Sequence, residues 1–215
     1  MTPNEVIEMY ERYGALWFFN YEGDPKAPHA ELPRSGMCSD GYVNSARVTS
    51  HPDALQFLVF AVAKRLRQRG IHPEWVVGSA MGAITFSYEL ARQMDACHGH
   101  TEKDPDDPKR MLWRRFQIDE GATVLDAEEL VTTFGTAFAV REAIQRENPA
   151  PVNILPVVAT IIYRPPQLGV DTPLDIISLV EREVKRWRRD GCPLCRQGSR
   201  PLRPKRHWAE LTKER

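Results

Sequence analysis

The sequence predicts an α/β fold: a parallel, twisted sheet flanked by helices, with an N-terminal hood segment in front of it. Three observations predict it. Short, strongly apolar runs recur at Trp75 to Val77, within Glu120 to Ala127, and at Ile154 to Tyr163. The first two each lead through a glycine-containing turn into a helical pattern, and strands alternating with helices imply a parallel sheet covered on both faces. The length, 215 residues, suits one well-packed domain with a small appendage.

In chain order, Asn4 to Phe19 carries Val6, Met9, Tyr10, Tyr13 and Leu16/Trp17 at three- and four-residue steps, the spacing of one helical face. Glu22 to Gly41 is irregular and rich in Gly and Pro, and residues 1–50 form the hood. Pro52 opens a long amphipathic helix over Ala54 to Arg69, which Gly70 ends. "WVVGSAMGAITFSYELARQM" reads as a buried strand, a small-residue turn from Gly78 to Ala83, and a helix to Met94. Cys97 to Arg110 is polar and proline-broken and reads as a long loop, a mobile lid over residues 97–110. Arg114 to Ile118 reads as a strand, Glu120 to Ala127 as a turn and a strand, and Thr136 to Glu147 as the next helix. Leu174 to Arg188, with Ile176, Ile177, Leu179, Val180, Val184 and Trp187, reads as a last amphipathic helix, followed by a C-terminal extension, 189–215.

Charge is balanced at 29 basic and 29 acidic side chains, so no whole-chain field argues for nucleic acid or a membrane as partner, although Lys185 to Arg206 is locally basic. No run approaches the ~20 apolar residues of a membrane span, and the first residues lack the order of a signal peptide. A soluble, cytoplasmic protein is expected. Cys38, Cys97, Cys192 and Cys195 are too unevenly spaced for a secreted disulfide framework, so reduced thiols are the default. The Cys192 to Cys195 pair invites a zinc reading, for which Cys38, Cys97 or His207 would have to converge on it. The expectation is a packed C-terminal turn, with no metal ligand among the predicted site residues.

The most informative stretch is "VLDAEELVTTFGT", Val124 to Thr136, where a buried strand runs into two adjacent acids. Like charges side by side cost free energy unless a polar group sits with them. Glu128 and Glu129 are acceptors when ionised, and a vicinal diol offers two donors. Thr132, Thr133, Gly135 and Thr136 lead into a helix N-terminus, whose orphan N–H groups and dipole suit a phosphate. A ribose beside a phosphate satisfies both halves. The alternative is that Thr132 caps the helix and the acids are solvated. No Gly-x-x-x-x-Gly-Lys-Ser/Thr loop exists in the chain.

This stretch resembles the phosphoribosyl-pyrophosphate signature of the type I phosphoribosyltransferases. "PRSGMCSDGYVN", "VVGSAMGAITFSYELARQM", "TEKDPDDPKRMLWRRFQIDEGATVL" and "IIYRPP" follow in the order of the orotate phosphoribosyltransferase family, so the resemblance spans nearly the whole chain. It implies that Glu128 and Glu129 bind the ribose hydroxyls, with Glu129 also catalytic. The loop Thr132, Thr133, Phe134, Gly135 and Thr136 would hold the 5-phosphate, with Leu130 and Val131 joining it to the acids. Thr132 and Arg164 would touch orotate. The backbone of Ser79, Ala80, Met81 and Gly82 would face pyrophosphate, with Mg²⁺ as cofactor bridging its oxygens and the ribose. Lys103 would be the catalytic lid cation, and Arg34, where the family has a lysine, a base or phosphate contact. A homodimer with shared active sites is implied too. Three residues depart from the pattern: Asp126 for an apolar residue, Glu129 for a shorter Asp, and Phe134 for a small residue. A non-catalytic relative that still binds phosphoribosyl pyrophosphate, and a transferase for another base, stay open as alternatives.

Overall fold

The protein was studied as a computed structural model, which describes residues 1–33, 35–107 and 109–212. Helix α1 (Pro3–Arg12) is opened by a capping box between Thr2 and Glu5, and leads to β1 (Leu16–Phe18), β2 (His29–Glu31), β3 (Cys38–Ser39) and β4 (Gly41–Val43). Then come α2 (Ala46–Thr49), α3 (Pro52–Gln68), β5 (Trp75–Ser79), α4 (Ile84–Met94), β6 (Cys97–Lys103), β7 (Met111–Leu112), β8 (Thr123–Val131), α5 (Gly135–Glu147) and β9 (Asn153–Tyr163). The chain closes with β10 (Asp175–Ile177), β11 (Val180–Glu181), β12 (Arg186–Trp187), α6 (Pro193–Arg196), β13 (Pro201–Leu202) and α7 (Pro204–Leu211).

Among the described residues the central sheet has seven strands in the order β10-β9-β8-β5-β6-β7, with β11 also on β9. All its pairings are parallel except β6 with β7. Successive strand residues face opposite layers. Val76 and Leu125 join α1, α3 and α4 in one core, whereas Val77 and Val124 join α5 residues Val140, Ala143 and Ile144 in another. Helices therefore cover both faces, as a parallel sheet requires. A second, four-stranded sheet, β12-β3-β2-β13, joins the N-terminal segment to the C-terminal one, and β1 pairs with β4 beside it.

Four sequence expectations need correction. The first helix stops at Arg12 rather than Phe19: Gly14 takes φ +58°, and Leu16–Phe18 runs on as a strand opposite Gly41–Val43.

Cys97–Lys103 is a strand, not a loop, paired from Trp75↔Cys97 to Ser79↔Thr101. Its polar composition hid it. His98 and His100 stack at 5.9 Å, and His98 Nε2 lies 2.9 Å from Ser87 Oγ of α4. Gly99 sits so close to Trp113 that a Cβ would fall 2.5 Å from its ring. Only Asp104 to Arg110, in which Pro108 lies outside the described residues, separates β6 from β7.

The strand expected over Arg114 to Ile118 lies instead at Met111–Leu112. Beyond it, Ile118 is tied to Asn148, which receives its N–H and donates to its carbonyl, each at 2.9 Å.

Leu174 to Arg188 is no helix but three short strands, two on the edge of β9 and one on β3. Ile176, Ile177 and Val180 are β-branched, and an open sheet edge offers them more than a helix face does.

Candidate active site

Ligands of open parallel sheets bind beyond the carboxyl ends of the strands. There β5 delivers Ser79, β6 delivers Lys103, β8 delivers Glu128 to Val131, and β9 runs into Arg164. The acid pair belongs to the strand itself, with Glu128 opposite Thr160 of β9, rather than to a loop beyond it.

Glu128 is buried, and Ser79 donates to both its oxygens, the N–H to Oε1 at 3.1 Å and the hydroxyl to Oε2 at 2.8 Å. Burial pushes its carboxyl well above the usual range, and the charges of Asp126 and Glu129 push the same way; the Ser79 bonds oppose them. Glu129 closes the other side of the turn. A Cβ on Gly82 would fall 2.7 Å from Glu129 Oε1, so a larger residue there would push the Glu129 carboxyl away from the turn. The two acids thus bracket the turn from Ser79 to Gly82. Within it the Ala80–Met81 peptide is cis, and Met81 is 82% exposed.

Helix α5 starts one turn after β8. Its N-cap is Phe134, which offers no side-chain acceptor to the first N–H groups, so the helix is not capped by Thr132. A Cβ at Gly135 would meet nothing within 4 Å. The positive end of a thirteen-residue helix therefore opens on free space, flanked by Thr132, Thr133 and Thr136. The Phe134 ring lies 6.2 Å from Phe138 and 6.4 Å from Tyr163, packed against the helix and the end of β9.

Arg164 donates its backbone N–H to Val131 O at 2.7 Å and a guanidinium N–H to Gly41 O of β4 at 3.0 Å. It is buried, and its Nε has no partner among the described residues. Burial, with Arg186 adding to it, lowers its pKa to about 10. A buried cation with an unused donor is a receptor for a carboxylate. Lys103 is exposed at the end of β6, opposite Met111. Arg34 lies outside the described residues.

One feature of the site went unforeseen. Asp126 is buried beneath the acids and receives Arg141 Nε of α5 at 3.3 Å, while Arg141 also donates to Val157 O at 2.8 Å. Burial raises Asp126 to about 7, against the pull of Arg141. The signal was the departure of Asp126 from the family pattern; its partner stands fifteen residues on, in the next helix.

The site thus gathers two adjacent acids, a helix N-terminus without a side-chain cap and a buried guanidinium along one sheet edge. No protein-family model matches the chain. An orotate phosphoribosyltransferase of Heliobacterium modesticaldum is 32% identical over 204 residues, covering 95% of this chain and 98% of that one. Of solved structures, the orotate phosphoribosyltransferase of Aeropyrum pernix aligns with a TM-score of 0.57 at 12% identity, over 82% of this chain and 93% of that one. The adenine phosphoribosyltransferase of Rhodothermus marinus aligns at 0.54 with 17% identity, over 83% and 99%. These structures support the fold, the relative supports the family, and the chain belongs to the orotate phosphoribosyltransferases.

Proposed function

We propose that the protein transfers the 5-phosphoribosyl group of phosphoribosyl pyrophosphate to orotate, giving orotidine 5'-monophosphate and pyrophosphate. The orotate ring nitrogen forms a bond to ribose C1 and loses its proton as the bond from C1 to the pyrophosphate oxygen breaks, and pyrophosphate leaves with the electron pair and can take up that proton. Positive charge grows on the sugar and negative charge on the leaving group. The observation that carries this reading is the bracketing of the Ser79 to Gly82 turn by Glu128 and Glu129. A ribose held by the acids places its C1 substituent over that turn, and the open end of α5 takes the 5-phosphate.

Glu128 and Glu129 accept from the ribose hydroxyls and face the charge that develops on the sugar. Ser79, Ala80, Met81 and Gly82 line the leaving group, and Lys103 meets its charge from the neighbouring strand. Thr132, Thr133, Phe134, Gly135 and Thr136 hold the phosphate through backbone and hydroxyl donors, continuing from Leu130 and Val131. Arg164 and Thr132 orient orotate, whose carboxylate suits the unused Arg164 donor. Arg34 keeps its proposed contact with base or phosphate.

The cofactor of this reading is Mg²⁺. The acids fit it: carboxylate oxygens are hard ligands, and Glu128, whose pKa is raised by burial and then by the charges of Asp126 and Glu129, would gain from a cation beside it. When bound, the ion neutralises the diphosphate.

A cytoplasmic homodimer with shared sites completes the proposal. Phe57 and Phe60 of α3 and Tyr88 of α4 are 63%, 59% and 59% exposed, large apolar side chains that a second copy of the chain could cover. Cysteines with no disulfide suit a reducing compartment, and no helix among the described residues is long and apolar enough to cross a membrane.

The test is the ultraviolet absorbance of orotate on mixing with protein, Mg²⁺ and phosphoribosyl pyrophosphate. Its decay at a rate proportional to protein is expected. Turnover with adenine but not orotate would reassign the base, and tight binding with no turnover would make the protein a non-catalytic relative.

A further inference from the structure

The hood and the C-terminal segment meet at four side chains that the transferase chemistry does not use. His29 comes from β2, Cys38 from β3, and Cys192 and Cys195 from the cap and first turn of α6. Their ligating atoms all lie within 4.8 Å of one another. Cys38 Sγ is 3.6 Å from Cys195 Sγ, Cys195 Sγ is 3.6 Å from His29 Nε2, and Cys192 Sγ is 3.8 Å from the same nitrogen. Tetrahedral zinc, with bonds of about 2.3 Å to sulfur and about 2.1 Å to nitrogen, needs edges of about 3.8 Å between sulfurs and about 3.6 Å between sulfur and nitrogen. The three distances above match those edges to about 0.2 Å, and the other three lie within 4.8 Å. A disulfide would need about 2.05 Å, and all four cysteines are free.

The surroundings are built for a ligand set. The other histidine nitrogen, Nδ1, lies 2.7 Å from Ser199 Oγ, and that hydroxyl donates to Ala27 O. With its proton committed to Ala27, Ser199 accepts from Nδ1–H, which leaves the Nε2 lone pair aimed at the sulfurs. The backbone N–H of Cys195 donates to Cys192 Sγ at 3.5 Å. His29, Cys38 and Cys192 are buried and Cys195 is half-buried, which leaves no open coordination position for substrate. Thiols buried only for their apolar character have no need to converge on one imidazole nitrogen whose partner nitrogen is fixed.

We propose that His29, Cys38, Cys192 and Cys195 bind one Zn²⁺ as a closed, structural site that pins the C-terminal segment to the hood. Three thiolates and an imidazole in a tetrahedron select zinc among common divalent ions. The layer it holds is thin. Its core is separate from that of the central sheet and centres on Trp17, Phe19, Leu194, Leu202 and Leu211, and small cores of this kind gain most from a staple. His29 and Cys192 are 163 positions apart in the chain, so the ion would tie its two ends together. The site stands apart from the transferase reading, and its test does not use activity.

The full-length protein, purified without chelators from zinc-supplemented cells, is expected to carry one zinc per chain by inductively coupled plasma mass spectrometry. Replacing the zinc with Co²⁺ should give the visible d–d bands and thiolate-to-cobalt charge transfer of a tetrahedral thiolate site. A thiol reagent should label Cys97 alone until a chelator exposes the other three. Cys195→Ser should lose the zinc, and Cys97→Ser should keep it. Should Cys195→Ser fail to fold, the cobalt spectrum and the thiol labelling of the unaltered protein decide. Protein without metal as purified, giving no charge-transfer band with Co²⁺, or a Cys192–Cys195 disulfide found by peptide mass spectrometry, would overturn the proposal.

Discussion

Ser79, the last residue of β5, grips both oxygens of the Glu128 carboxylate on the neighbouring strand, at 3.1 Å through its N–H and 2.8 Å through its hydroxyl. This one contact fixes the acid that the ribose would meet and the first residue of the turn that the leaving group would meet. The two halves of the proposed site are therefore set by a single residue. A charged carboxyl buried this deeply is costly unless fully hydrogen-bonded, and a diol would supply the bonds that Ser79 leaves unmade.

Asp126 makes stability depend on pH in an unusual direction. Its carboxyl is raised by burial to about 7 in the folded protein, from the ordinary aspartate value of 3.8. Between those values the folded state binds the proton and the unfolded state does not, so this group's contribution to stability falls as pH rises. Urea unfolding of the unaltered protein and of Asp126→Asn at pH 5 and pH 7 checks it. The unaltered protein should lose more stability over that interval than the variant; parallel losses would show that Asp126 titrates normally.

Arg164→Ala should raise the KM for orotate about ten- to a hundredfold, the cost of a charge-assisted bond of about 1.5 to 3 kcal/mol. Arg164→Lys should recover only part of this, since an ammonium lacks the planar fork. Steady-state kinetics with each substrate varied in turn separates the outcomes. An effect confined to phosphoribosyl pyrophosphate would move Arg164 out of the base site.

Phe134 departs from the family pattern but packs its ring on Phe138 and Tyr163. Phe134→Ala should therefore lower stability by about 1 kcal/mol, as for a lost aromatic pair, and leave the affinity for phosphoribosyl pyrophosphate within about twofold. Thermal unfolding and calorimetry read the two quantities. A gain in affinity of tenfold or more would mean that the ring obstructs the phosphate loop.

The sequence showed most where one element explains itself. Trp75–Ser79 and Asn153–Tyr163 are nearly continuous apolar runs and Thr123–Val131 begins as one, and each proved to be a strand of the parallel sheet. Cys97–Lys103 was illegible because His98 and His100 find partners in Ser87 and Phe116, contacts that no periodicity encodes. Ile176, Ile177, Leu179, Val180 and Val184 fit helical spacing as well as short strands, and the open edge of β9 decided between them. Of the site, the order of the acid pair and the threonine-rich turn left a solvated, capped-helix reading open, and only the family resemblance set that aside. The grip of Ser79 on Glu128 and the Asp126–Arg141 pair were not readable, since each joins segments that only the fold brings together. The cysteine cluster was half legible: Cys192 and Cys195 announced themselves by spacing and Cys38 was a named candidate, but His29 carries no spacing signal and only strand β2 brings it in.

The most direct measurement is calorimetric titration of phosphoribosyl pyrophosphate, with Mg²⁺ present, into the unaltered protein and into Glu128→Gln. An amide accepts weaker hydrogen bonds than a carboxylate, so the variant should keep its fold by circular dichroism and bind about tenfold or more weakly. Equal affinities in two equally folded proteins would contradict the ribose clamp at Glu128 and with it the proposed arrangement of the site.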